Sequence, residues 1–246
     1  SACYALSVIP EDFHVWDYLE NSRTPEAYNK IVKGDADIIF VAQPSGGQKK
    51  RAKESGVTLL YTPFAREAFV FIVNADNPVN SLTEQQVRDI FSGAITNWRA
   101  VGGNDQEIQT WQRPEDSGSQ TVMQSQVMKN VRMISPQETK VASVMEGMIK
   151  VVAEYRNTNN AIGYTFRYYA TQMNADKNIK LLAINGITPT AENIRNGKYA
   201  YIVDAFMVTR ENTTSETQKL VEWFLTPQGQ SLVEDVGYVP LYPTME

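Results

Sequence analysis

Apolar and polar positions along the chain sort into short strands alternating with amphipathic helices. Phe13–Asn21 alternates loosely and reads as a strand. Thr24-Pro25-Glu26 reads as a helix start, with Thr24 as N-cap, Pro25 at the first helical position and Gly34 as the stop. Asp37–Ala42 is a continuous apolar run, the pattern of a strand buried on both faces. A polar helix is expected over Gln48–Ser55, followed by strands at Val57–Tyr61 and Ala68–Val73, the second being the most hydrophobic in the chain. Strands alternating with helices predict an α/β fold with a largely parallel sheet.

The pattern breaks at Asn74-Ala75-Asp76-Asn77-Pro78, which is the candidate crossover between two domains. A helix then begins with capping-box spacing, Ser81 to Glu84 or Thr83 to Gln86. It carries Val87, Ile90 and Phe91 on one face and stops near Gly93. Ile108–Trp111 is a strand leading straight into Arg113. Further helices are predicted at Val122–Met128 and Ser143–Tyr155, and strands at Ala161–Thr165, Ile179–Ile184 and Tyr201–Thr209. Ser215–Phe224 and Pro227–Val236 form a closing helical pair.

Candidate chemistry concentrates in Arg113-Pro114-Glu115-Asp116-Ser117-Gly118-Ser119, just before the Val122 helix. Ser117 or Ser119 is a sound N-cap, and Gly118 lets the backbone approach a ligand closely. Helix N-termini point unpaired N–H groups and partial positive charge outward. Serine hydroxyls add donors, and Arg113 adds a two-pronged, permanently charged one. Such a set makes a socket for a small tetrahedral oxyanion. On these residues alone, a capped helix preceded by a surface arginine fits as well. Trp98, Trp111 and the tyrosines Tyr164, Tyr168 and Tyr169 read as packing residues.

Composition narrows the options. A chain of 246 residues can form one large domain or two small ones. No apolar run approaches the ~20 residues of a membrane span. The single cysteine, Cys3, excludes an internal disulfide and a cysteine metal cluster. The single histidine, His14, leaves no basis for a histidine metal site or a catalytic triad. A net charge of −5 argues against nucleic acid as a partner. It does not argue against a small anion, because a few oriented dipoles and one arginine set the local potential.

Four stretches carry a family resemblance. They are Leu82–Trp98 with Val101-Gly102-Gly103; Arg113 through Ser119; Ala161-Ile162-Gly163-Tyr164; and Trp223–Thr226 with Gly229-Gln230 and Gly237–Leu241. Together they resemble the phosphate-binding components of bacterial phosphate ABC importers, which are type II periplasmic binding proteins. The resemblance implies a two-lobed α/β fold, each lobe a mixed, mainly parallel sheet flanked by helices, with a ligand cleft between lobes. Lobe I would hold residues 1–75 and 200–246, and lobe II residues 76–199. Carried over by position, Arg113, Ser117, Gly118 and Ser119 fall on phosphate ligands, and Glu115 on an acidic partner of the arginine. Ser22 lies near a family serine ligand. Ser1 falls in the tail of the family's first phosphate loop. Ser45 lies beside the place, here Ala42, of a phosphate-facing aspartate.

The function this implies is an extracytoplasmic binding protein, with or without a lipid anchor, that captures inorganic phosphate for a membrane permease. Neither cofactor, metal nor catalytic activity is expected, and a monomer is. Alternatives are a binder of sulfate, molybdate or tungstate, or a sensor or interaction domain of the same fold without ligand.

Overall fold

The structure is a computed structural model that describes residues 19–135, 140–153 and 160–245. Ser1, Cys3, His14 and most of the strand expected at Phe13–Asn21 lie outside the described residues. In chain order the elements are α1 (Thr24–Lys33), β1 (Ile38–Val41), α2 (Gly46–Glu54), β2 (Leu59–Asn74), β3 (Ser81–Leu82), α3 (Glu84–Ser92), β4 (Gln109–Thr110), α4 (Gly118–Val122), α5 (Met145–Ala153), β5 (Ala161–Phe166), β6 (Ile179–Leu181), β7 (Ala183–Ile184), α6 (Ala191–Arg195), β8 (Ile202–Arg210), α7 (Ser215–Phe224), α8 (Pro227–Asp235) and β9 (Val239–Pro240). Two compact units emerge. One comprises the described residues up to Arg66 together with those from Asp204 on; the other is Glu67–Val203.

In the first unit β1 pairs antiparallel with β8, and β2 pairs antiparallel with β9 at Ala65 and Arg66. Two apolar clusters hold it: Tyr28, Ile31, Ile39 and Val208, and Phe64, Ala65, Met207 and Val233. α1 starts one residue away from its expected position. Arg23 is the N-cap, without a side-chain bond, and Thr24 is already helical. The left-handed Gly34 (φ 90°) ends the helix as expected. β1 is less buried than its apolar run suggested, because among the described residues it has a neighbour on one side only. Ile39 faces the core, whereas Phe40 is 46% exposed and rests edge-on against Phe64 and Phe224.

The second unit is built on the rest of β2. Ala68–Val73 have 0% exposure, the mark of a strand covered on both faces. β5 and β6 pair antiparallel with it, β4 runs parallel to β5, and β3 pairs parallel with β7. Trp98 is buried, with its indole N–H donating to the Asn160 carbonyl at 2.9 Å. α3 is capped by the reciprocal Thr83–Gln86 pair, and Val87, Ile90 and Phe91 are its buried face.

Three expectations change in detail. The strands expected at Val57–Tyr61 and Ala68–Val73 are one continuous strand, since Thr62-Pro63-Phe64 stays extended and Phe64 packs inward. The strand expected at Ile179–Ile184 divides into β6 and β7, which join different sheets. The sheets are mixed, as expected, but among the described residues antiparallel ladders outnumber parallel ones. Alternation along a sequence reports neighbours in the chain, whereas β1 and β2 pair with strands far ahead of them.

Glu67, the first residue of the second unit, is buried within β2. Its carboxyl oxygens accept the N–H groups of Ala68 at 2.7 Å and Tyr168 at 2.9 Å. Burial pushes the acid up to about 7, while these hydrogen bonds and Arg167 pull the other way. The folded-state value thus exceeds the unfolded one. The stabilisation belongs to the protonated form, is complete below the ordinary carboxyl range and is lost as pH rises towards 7. Its full size is on the order of 3 kcal/mol. Thermal melts between pH 4.5 and 7.5 should therefore fall more steeply for wild type than for Glu67→Gln; equal slopes would refute this.

Candidate functional site

The site grows from a reversal of the chain between β4 and α4. Ser117 N–H donates to the Pro114 carbonyl at 3.2 Å, closing a turn in which Asp116 takes a left-handed backbone (φ 68°). Such turns need positive φ at their third residue, and Asp tolerates it better than most. Ser117 is then the N-cap of α4, as expected: its Oγ accepts the Gln120 N–H at 3.3 Å. Helical backbone continues past α4 as a π-helical stretch over Met123–Met128. The N–H of Thr121 is taken by the Ser117 carbonyl. The first helical N–H groups, those of Gly118 and Ser119, have no intrahelical acceptor and are the candidate donors of the site.

Ser119 is 1% exposed, and its Oγ has no hydrogen-bond partner among the described residues. Leaving such a hydroxyl buried and unpaired costs roughly 1–3 kcal/mol. Arg113 is also buried, at 7% exposure, and its guanidinium donates to the Ala142 carbonyl at 2.8 Å. Its main-chain N–H points to the Tyr164 hydroxyl at 3.1 Å and Gln120 Oε1 at 3.3 Å. Burial pushes the Tyr164 hydroxyl above its ordinary range, so it stays neutral. Tyr169 is raised chiefly by burial and then by Glu146, with Arg113 among the groups acting the other way.

Arg113, Ser117, Gly118 and Ser119 are thus brought together on one turn and one helix start. Glu115 is exposed and forms no ion pair among the described residues; the turn directs it outward, and the arginine is oriented by Ala142 instead. Ser45 and Ser22 belong to the first unit. Ser45 is the N-cap of α2, in a reciprocal box with Gln48. Ser22 is exposed, two residues before α1. Ser1 lies outside the described residues. Sequence reading missed Gln120, Tyr164 and the Ala142 carbonyl. Only Gln120 had a local signal, its capping-box spacing from Ser117. Among the described residues no group of three or more His, Cys, Asp or Glu could hold a metal ion, and no helix is long and apolar enough to cross a membrane.

The architecture defines a class, and comparison with known proteins identifies it. The PBP superfamily domain matches residues 12–228, so the chain belongs to that family. Among its relatives is the phosphate-binding protein PstS of Borreliella burgdorferi, 26% identical over 215 residues, covering 86% of this chain and 74% of that protein. PstS of Bacillus subtilis is 28% identical over 170 residues, covering 69% of this chain; the chain spans about half, 53%, of that protein. A Clostridium perfringens protein crystallised with bound phosphate superposes with a TM-score of 0.72 at 24% identity, covering 88% of this chain and 84% of that one. An ABC-type phosphate transport receptor from Vibrio cholerae gives 0.65 at 24% identity, with the same coverage of both chains. These two likenesses establish the fold as that of the type II periplasmic binding proteins.

The two serines should separate in a thermal melt without ligand. Ser117→Ala removes a working cap, at a cost of about 1 kcal/mol, or roughly 2–4 °C. Ser119→Ala removes a hydroxyl that gains nothing in the empty protein, so its melting temperature should match or exceed wild type. A large loss in Ser119→Ala would mean the hydroxyl already has a structural partner.

Proposed function

We propose that this chain is an extracytoplasmic solute-binding protein that captures inorganic phosphate and passes it to an ABC importer. The observation that carries the reading is the buried, unpartnered Ser119 hydroxyl at a helix start that also gathers Arg113 and Ser117. A buried donor left unpaired in the empty protein is compensated when an anion arrives, so its folding cost becomes binding selectivity. Arg113 supplies a planar, charged fork that matches two oxygens of a tetrahedral anion. The names of the Borreliella burgdorferi and Bacillus subtilis relatives support phosphate as that anion. Net charge of −5 is no obstacle, since oriented N–H groups act over a few ångströms and the net charge over many.

The proposal is of a binding protein, not an enzyme: among the described residues beside the socket, none pairs a nucleophile with a base. A permease partner, a monomeric state and an address outside the cytoplasm, with or without a lipid anchor, belong to the same proposal. It rests on the socket of the second unit; Ser22 and Ser45, in the first, contribute nothing to the argument.

Calorimetric titration with phosphate, sulfate and molybdate tests it. Wild type should bind phosphate. Arg113→Ala should lose roughly 2–5 kcal/mol of binding, about 30- to several-thousand-fold in affinity. Arg113→Lys should also weaken binding, because a point charge cannot reproduce the fork. Ser119→Ala should lose about 1–3 kcal/mol. Preference for sulfate or molybdate would replace phosphate with that anion. No binding of any of the three would favour a sensor or interaction domain of the same fold.

A further inference from the structure

Behind the socket lies a buried hydrogen-bonded pair, Gln120 and Tyr164, neither of which is itself expected to contact ligand. Tyr164, from β5, donates its hydroxyl hydrogen to Gln120 Oε1, and the same hydroxyl accepts the Arg113 N–H at 3.1 Å. Gln120 Oε1 is itself 3.3 Å from that N–H, while the Gln120 N–H reaches back to Ser117 Oγ. Gln120 is 4% exposed and Tyr164 0%. The Tyr164 ring packs at 5.4 Å from Phe69 and 5.6 Å from Phe91, so the hydroxyl is anchored to the core of the unit.

The spacing of Ser117 and Gln120 would allow a complete capping box, with the glutamine side chain accepting the Ser117 N–H. That N–H is taken by the Pro114 carbonyl instead. The glutamine side chain is thereby directed to the main chain of Arg113, at the opposite end of the turn. One side-chain oxygen thus ties the entry of the turn to the helix that forms its exit.

We infer that Gln120 and Tyr164 are positioning residues that set the arginine before the anion arrives. This deepens the phosphate-capture reading and rests on it. Binding loses affinity for every flexible group it must order, and fixing the main chain of Arg113 removes part of that loss in advance. With its backbone held by the pair and its guanidinium by Ala142, the arginine is constrained at both ends of a long side chain. Both residues act through one connected unit, so their effects on affinity should overlap instead of adding.

Phosphate titration of wild type, Tyr164→Phe, Gln120→Leu, the double variant and Arg113→Ala tests the inference. It is done at a temperature where each empty protein is folded, with hydrogen exchange at the Arg113 amide read in parallel. Each single variant should bind phosphate about tenfold more weakly, and the double variant no more weakly than the poorer single one. The Arg113 amide should exchange faster in the variants. Tyr164→Phe keeps the ring and its packing, so it carries the test alone if Gln120→Leu fails to fold. Wild-type affinity and exchange in Tyr164→Phe, with binding lost in Arg113→Ala, would overturn the inference and leave phosphate capture standing. Losses that add fully in the double variant would also overturn it. Undiminished binding in Arg113→Ala, or none in wild type, would overturn the capture reading itself.

Discussion

One reversal of the chain, from β4 through Pro114–Ser117 into α4, determines where every donor of the proposed socket lies. Closing that turn places Asp116 in a left-handed backbone and makes Ser117 the helix cap. The cap takes up the Gln120 N–H and leaves those of Gly118 and Ser119 at the tip. Arg113 stands at the entry of the same turn, so any shift of the reversal moves its guanidinium relative to the helix start. Sheet and core serve this geometry: β4 aligns with β5, β5 with the fully buried half of β2, and β5 delivers the Tyr164 hydroxyl behind the turn.

On the proposed reading, stability and function make opposite demands on the two serines. Ser117 uses its acceptor on the helix, as a fold requires. Ser119 is as buried as a core residue but carries a hydroxyl that no described residue engages. Selection for stability alone would favour alanine there, since an unpaired buried hydroxyl destabilises. A similar tension appears at Glu67, whose carboxyl is buried in the second unit and is charged only at the cost of desolvation.

Much of the fold was legible wherever a local rule decides. The Thr83–Gln86 box, Gly34, Gly93, Ser117 and the closing helices α7 and α8 all follow from capping and punctuation within a few residues. The sense of the ladders was not legible, because strand partners such as Ile38 and Thr209 are brought together by the whole fold. The break expected inside β2 failed for a related reason: Pro63 usually argues against a strand interior, yet here the chain stays extended through it. In the candidate site, Arg113, Ser117, Gly118 and Ser119 stood out only through the family resemblance, since on their own they fit a plain capped helix equally well. Gln120 and Tyr164 did not, since their role depends on a contact between α4 and β5. Glu115 was placed beside the arginine by position, and the turn sends it to solvent.

Crystals grown with phosphate test the central claim most directly. Tetrahedral density should stand within hydrogen-bond distance of Ser119 Oγ, the Gly118 and Ser119 N–H groups and the Arg113 guanidinium, with Gln120 and Tyr164 unmoved behind them. Density lodged away from Arg113, or a Ser119 hydroxyl that turns to a protein acceptor while phosphate binds elsewhere, would contradict it.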